Sequence, residues 1–229
     1  GQKIGWNEGT HGESNSLDEA YSDIMAEYAD GTDEWQHGTY QYLDGKSFVR
    51  DLSDPTASSD PNSNNVQYYK YSTPGFFMNV EEHDGSTVIS HAAYLMHKLG
   101  ISDTAAEKIW FYSLDYMPHG SNATFSDCRT AVLKAADKVL INYPYSTRLE
   151  WAYSIRKAFN AVNIRGEDDL VGDVNLDFKI DEDDVTALRD YLDPDKTFQF
   201  TQPVQEHYCD LTSDGEITSE DLTFLEKKV

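Results

Sequence analysis

Asp173-Val-Asn175-Leu-Asp177-Phe-Lys179-Ile-Asp181-Glu-Asp-Asp184 returns 37 residues later as Asp210-Leu-Thr212-Ser-Asp214-Gly215-Glu216-Ile-Thr218-Ser-Glu-Asp221. In both twelve-residue stretches, oxygen-bearing side chains stand at positions 1, 3, 5, 9 and 12. Position 7, Lys179 in the first and Glu216 in the second, would offer its backbone carbonyl. Calcium is a hard cation that takes about six to eight oxygens, and dense acidic clusters in this order supply them. The expected ligands are therefore Asp173, Asn175, Asp177, Lys179, Asp181 and Asp184 for one ion, and Asp210, Thr212, Asp214, Glu216, Thr218 and Asp221 for a second. Ile180 and Ile217 share position 8, where a β-branched residue can pair the loops. Each loop runs into an apolar helical stripe: Val185, Leu188 and Leu192 after the first, Leu222 and Leu225 after the second.

Outward from these loops the charge distribution sets a boundary. Residues 167–229 hold 19 acidic and 5 basic side chains, net −14, whereas the first 166 hold 22 and 13, net −9. Per residue the tail is more than four times as acidic, so we place one domain at 1–166 and a second at 167–229. The whole chain of 229 residues carries −23, the wrong sign for a nucleic-acid or anionic-membrane contact face. It has no apolar run of the roughly 18 residues that span a bilayer, so membrane insertion is not expected. No leader opens the chain, which reads as a mature or excised portion. Cys128 and Cys209 are expected to be unpaired.

Five helical stripes occupy the first 166 residues. They run through Leu17, Ala20, Tyr21, Ile24 and Met25; Ile89, Ala92, Ala93, Met96 and Leu99, stopped by Gly100; Ala106, Ile109, Trp110, Ser113 and Met117; Phe125, Cys128, Ala131, Val132, Ala135, Ala136 and Val139; and Ala152, Ile155, Ala158, Phe159 and Val162. Cys128 falls on its apolar stripe and reads as core. Asn122-Ala-Thr124 is a sequon in form and a cap for the fourth helix by position. Between Gly31 and Ser86 a long loop is expected, with short strands near 40–42 and 67–71. The fold class is mainly α.

The tail resembles a dockerin, the module that plugs cellulosomal proteins into cohesins. It is an EF-hand-like pair of loop-helix repeats with Asp at position 12, covering about 170–229. The resemblance implies calcium-dependent folding and a cohesin partner on a scaffoldin or cell-surface protein. It also implies an extracellular place on or near an anaerobic bacterium, within a polysaccharide-degrading assembly. Carried over by position, the cohesin contacts are Glu182, Asp183, Arg189 and Asp190 in the first repeat and Ser219, Glu220, Glu226 and Lys227 in the second. Phe178 stands where the family has Gly at position 6. The connector 193–208 is long and aromatic, with Phe198, Phe200 and Tyr208, and is expected to pack on the neighbouring domain.

Asn15-Ser16-Leu17-Asp18-Glu19-Ala20-Tyr21-Ser22-Asp23 puts Glu19 and Asp23 one turn apart on a helix face, and Ser16 with Glu19 also fits a capping box. Ser47-Phe-Val-Arg50-Asp-Leu-Ser53-Asp54-Pro55 follows, then Glu82-His83-Asp-Gly-Ser86 leading to Ala92-Ala93-Tyr94-Leu95. Thr124-Phe-Ser-Asp-Cys-Arg129 and Ala158-Phe-Asn-Ala161-Val162 come later. In this order the motifs resemble the C-terminal α-helical half of the thermolysin family of metallopeptidases, over residues 5–164. The resemblance makes Glu19 the third zinc ligand and Asp23 the group that orients a His ligand. Arg50 would bind a substrate carbonyl, and His83 would hydrogen-bond the oxyanion. His91 and His97 have no matching role. Trp35 matches a Trp of a family calcium loop, with Gln36 and Thr39 where acids stand. Met78 occupies the place of the Asp that partners the histidine, so either Glu81 or Glu82 substitutes for it or the parent enzyme is itself weakened. No HExxH occurs in the chain, so zinc is expected only in an intact parent and these residues alone are expected to be inactive. Two functions follow. One is a calcium-dependent cohesin-binding assembly module attached to an incomplete peptidase domain. The other is the catalytic half of a secreted zinc metalloendopeptidase whose HExxH lies upstream.

Overall fold

The computed structural model describes residues 12–38, 48–56, 71, 78–120, 122–166, 170–177, 179–202 and 205–229. It is mainly helical, and no helix among the described residues is long and apolar enough to cross a membrane. Its packing divides into two units, Gly1–Pro144 with Ser154–Gly166, and Tyr145–Tyr153 with Glu167–Val229.

In the first unit, α1 is Glu13–Asp30, followed by the two-residue strands β1 (Gln36–His37) and β2 (Arg50–Asp51). Then come α2 (Glu82–Lys98), α3 (Asp103–Ser113), a 3-10 turn at Leu114–Tyr116, and α4 (Phe125–Leu140). The last helix, α5, is Tyr145–Ala161, and its C-terminal half belongs to this unit. All five stripes become helices because each lines up residues that vanish from solvent, but the third stops short of its expected end: the α-helix closes at Ser113, and Met117 follows the 3-10 turn in extended backbone. Leu17, Ala20 and Ile24 of α1, Ile89, Ala92 and Met96 of α2, Ile109 and Trp110 of α3, Phe125, Cys128 and Val132 of α4, and Ile155, Ala158 and Phe159 of α5 are all 0% exposed. At roughly 1.5–3 kcal/mol for each large side chain fully buried, this face outweighs the modest helix propensities of its β-branched members. Cys128 is core, as its stripe implies, and the Tyr21 hydroxyl lies beside it at 3.8 Å while bonding Ser113 Oγ at 2.6 Å.

Thr124 caps α4 with a full capping box, its hydroxyl accepting from the Asp127 N–H while Asp127 accepts from the Thr124 N–H. Ser16 does not cap α1. The helix already begins at Glu13 after Gly12, and Ser16 is buried in its first turns against α2. A Cβ added at Gly85 of α2 would come within 2.2 Å of the Ser16 hydroxyl. These two small residues therefore set how closely α1 and α2 cross. The helix α2 starts at Glu82, ahead of its apolar stripe, because the Glu81 side chain caps it by accepting from the His83 N–H. Among the described residues, the strands pair Gln36 with Asp51 and His37 with Arg50, antiparallel. Those expected near 40–42 and through 67–70 lie outside the described residues, and Tyr71 is not in a strand.

The second unit holds α6 (Glu182–Leu192), α7 (Gln205–Cys209) and α8 (Ser219–Lys228), with α6 packed on α8. Its core has two parts. Val174, Val185, Leu188, Cys209 and Leu225 form one, with Ile180 and Ile217 against it. Leu149, Leu170, Leu176 and Tyr208 form the other. The connector aromatics Phe198 and Phe200 do not leave the unit for their main contacts. Phe200 stacks on Tyr191 of α6 at 4.6 Å and Phe198 meets it edge-on at 5.8 Å.

Candidate functional site

Each loop ends in a residue that belongs equally to the helix after it. Asp181 and Thr218, at position 9, are the N-caps of α6 and α8, and Asp184 and Asp221, at position 12, complete their capping boxes. The position-12 carboxylates also reach back across their loops. Asp184 accepts N–H bonds from Asn175 (3.0 Å) and Asp181 (2.8 Å), and Asp221 from Thr212 (2.9 Å) and Thr218 (2.8 Å). Position 1 accepts from position 5 in both loops: Asp177 N–H to Asp173 at 3.0 Å, and Asp214 N–H to Asp210 at 3.1 Å. Position 5 accepts from position 7 in both, at 2.9 Å. The loops are thus wound around their acidic side chains, with the peptide dipoles directed at the carboxylates.

Asp173, Asp184 and Asp221 are 0% exposed. Buried carboxylates are costly unless hydrogen-bonded or paired with a cation. Burial raises the Asp184 carboxyl above its ordinary pKa. At Asp221 burial acts the same way, but the hydrogen bonds from Thr218 and Thr212 outweigh it and lower the value. A set of carboxylate, amide, hydroxyl and carbonyl oxygens suits a hard divalent cation, so the residues fit calcium. At position 6, Gly215 has φ +89°, the left-handed region that a side chain resists. Its counterpart Phe178 lies outside the described residues.

Of the eight positions carried over as cohesin contacts, Glu182, Asp183, Arg189, Ser219, Glu220, Glu226 and Lys227 are exposed and Asp190 is half-buried. Arg189 and Glu226, equivalent positions of the two repeats, pair with each other at 2.8 Å. Asp190 is bound by Lys196. Phe224, one turn beyond Glu220, is 47% exposed with the Lys227 ammonium over its ring, and the first repeat has Ala187 at the same place.

In the first unit the α1–α2 crossing brings Glu19 and His83 together, with Glu19 Oε2 3.2 Å from His83 Nε2. The other ring nitrogen, Nδ1, lies 2.8 Å from Glu81 Oε1. Of the two candidate replacements it is Glu81 that faces this nitrogen, while Met78 is 72% exposed. Burial would raise the Glu81 carboxyl, but the hydrogen bonds and charge of His83 win and lower it. Both ring nitrogens thus face carboxylates. Arg50 is delivered by the β1–β2 pair and grips Asp23 of α1 with two bonds, Nε at 3.0 Å and Nη2 at 2.6 Å. Asp51 beside it organises the Ser53-Asp54 turn by accepting from both backbone N–H groups.

Two histidines without an expected role turn out to be fasteners. His91 Nδ1 bonds the Leu52 carbonyl at 2.8 Å. His97 lies between Asp33 (3.0 Å) and Asp103 (2.9 Å) and against Trp35. Gln36 donates to Asp51, the Trp35 N–H bonds Glu27, and Thr39 lies outside the described residues.

Among the described residues, the trio of metal-ligating atoms within 4.8 Å of one another is that of Glu19, Glu82 and His83. The loop carboxylates are turned to their own backbone amides. With no HExxH in the chain, Glu19 stands without the two histidines of the expected zinc set. The residues present do not make that set, and no step is derived through zinc.

Comparison with known families agrees with both halves of this description. The family described as thermolysin metallopeptidase, alpha-helical domain, matches residues 10–164, and the dockerin type I domain matches 171–229. A gelatinase of Enterococcus faecalis (strain ATCC 700802 / V583) is 30% identical over 165 residues, spanning 69% of this chain and 30% of that protein. The chain thus spans less than a third of the curated relative it matches. Dockerin type I domains bind calcium, thermolysin-type peptidases use zinc, and both families are usually extracellular. The chain belongs to the thermolysin metallopeptidase family through its α-helical domain, and carries a dockerin type I domain after it.

Proposed function

We propose that this chain is an assembly module: a dockerin that binds two calcium ions, folds on them and docks to a cohesin, tethering a thermolysin-type helical domain to a cell-surface or cellulosomal scaffold outside an anaerobic bacterium. The observation that carries this reading is the duplicated loop skeleton, in which the position-12 carboxylates, Asp184 and Asp221, both close a loop and start a helix. Filling the loops with calcium fixes the start of α6 and α8 and so pre-organises the exposed face they share. On that face the contacts are Glu182, Asp183, Arg189 and Asp190, or Ser219, Glu220, Glu226 and Lys227, and Phe224 adds an apolar anchor to the second set. The test is a calcium titration with and without a cohesin, followed by circular dichroism and thermal melting. A chain that gains neither helicity nor stability with calcium would falsify the proposal.

A second reading concerns the peptidase half, and the Glu81–His83–Glu19 row and the Arg50–Asp23 pair favour it. In a protein that also held HExxH, Glu19 would complete the zinc set and Asp23 would orient a zinc-binding histidine. Arg50 would hold a substrate carbonyl, and His83, positioned by Glu81, would meet the oxyanion. The isolated chain is expected to be silent in a caseinolysis assay with added zinc. Cleavage by it would overturn this assignment of roles.

A further inference from the structure

The two loops agree in nearly every hydrogen bond, and they part at position 4. Both position-4 residues have left-handed backbone, Leu176 at φ +65° and Ser213 at φ +59°. Ser213 is exposed, whereas Leu176 is 2% exposed. A leucine in this backbone region is disfavoured by roughly 1 kcal/mol or more, so something must hold it there. Within the second unit that something is the segment Tyr145–Tyr153. Leu176 packs with Leu149, Leu170 and Tyr208, and the Tyr145 hydroxyl donates to the Leu176 carbonyl at 2.8 Å. Tyr153 stacks flat on His207 at 4.9 Å and meets Tyr208 edge-on at 5.4 Å. Tyr208 in turn accepts, through its carbonyl, the N–H of Gly172, immediately before the first ligand Asp173, at 2.7 Å. The segment thus touches the first loop at position 4 and, through Tyr208, at its entry.

We propose that Tyr145, Leu149 and Tyr153 are positioning residues for the first calcium site, and that calcium in this loop and order in residues 145–153 are energetically coupled. The second site has no such coupling. The proposal rests on the calcium reading of the loops. Leu176 sits between the ligands Asn175 and Asp177, so holding its side chain and carbonyl fixes the peptide from which both ligands project. Coupling of this kind is reciprocal: whatever the segment contributes to calcium affinity, calcium returns to the segment.

The test is a calcium titration of the full chain followed by amide NMR. Asp177 and Lys179 report the first loop, and Asp214 and Glu216 the second. Tyr145→Phe keeps the ring and removes one hydrogen bond. It is expected to weaken the first site about fivefold, the effect of a bond worth about 1 kcal/mol, and to leave the second unchanged. Leu149→Ala is expected to weaken the first site by tenfold or more. Should that variant fold poorly, Leu149→Met gives the same contrast at smaller size. In the reverse direction, calcium is expected to slow amide exchange across 145–153, and Asp173→Ala, but not Asp210→Ala, should abolish the slowing. Equal losses at both sites, or none at the first, overturn the coupling while leaving two calcium sites in place. Failure of the unmodified chain to bind calcium at either loop would instead sink the reading beneath it.

Discussion

The two acidic loops, 173–184 and 210–221, are one hydrogen-bonding scheme executed twice, with different support behind each. In the second loop the chain solves the turn locally: Gly215 accepts a positive φ without strain, Ser213 faces solvent, and Thr218 caps α8. In the first, Leu176 is buried against Leu149 and Tyr208, both distant in sequence, as well as the nearby Leu170, so the turn is held from outside. On the proposed calcium reading, a loop built from local residues needs only its ion to fold. A loop built on a buried side chain is also answerable to the core around it.

Stripping calcium tests what the loops share, and is expected to have the largest effect. A thousandfold excess of ion over Kd stabilises by about 4 kcal/mol per site, and chelation with EGTA should remove it. In a melt followed by circular dichroism, the transition of the second unit should drop steeply while that of the first stays. If both move together, the two units do not unfold independently. Next, Leu176→Ser gives the first loop the second loop's residue. It should cost about 2–4 kcal/mol in denaturant unfolding of the second unit, the range for emptying a buried leucine site, while Ser213→Leu should cost far less. Thr218→Ala and Asp181→Ala each remove a cap worth about 1 kcal/mol. The former should fray α8 further than the latter frays α6, visible as amide exchange in the first helical turn.

Smaller still is the Arg189–Glu226 pair, which lies on exposed side chains and is screened by solvent. Arg189→Glu should shift thermal stability by less than about 1 kcal/mol. If the first repeat makes the contact, the variant should slow cohesin association, read as the on-rate at low salt. A control outside both loops is His91, whose pKa burial lowers. The unfolded chain takes up that proton near pH 6.5, before the folded one does. The stability His91 contributes is therefore complete above about pH 6.5 and lost as pH falls toward its lower folded value. His91→Gln should make the midpoint of the first unit fall less steeply with acid.

How much of this could be read ahead of the coordinates depended on how local each cause is. The loops were legible because their ligand order is fixed by a short chain folding round one ion. The five helices were legible because burial on one face leaves a 3.6-residue stripe. Ser16 misled because capping boxes are written in the same letters as a small residue at a helix crossing, and only Gly85, far along the chain, distinguishes them. The partner of His83 was narrowed to Glu81 or Glu82, and the choice fell to backbone geometry at the start of α2. His97 between two aspartates, and Tyr145 on the Leu176 carbonyl, join residues 6 to 64 and 31 positions apart and left no pattern. At Asp103 the signal was short-range but polar, and polar residues near helix starts are too common to single out.

On the calcium reading, Asp184 and Asp221 are each an ion's last ligand as well as a helix's opening bond, so ion grip and helix onset could not drift apart by mutation there. A lineage that needed a weaker or tighter clasp would have to change a residue that touches neither job. Position 4, where one copy carries a leucine and the other a serine, is a tuning screw of that kind.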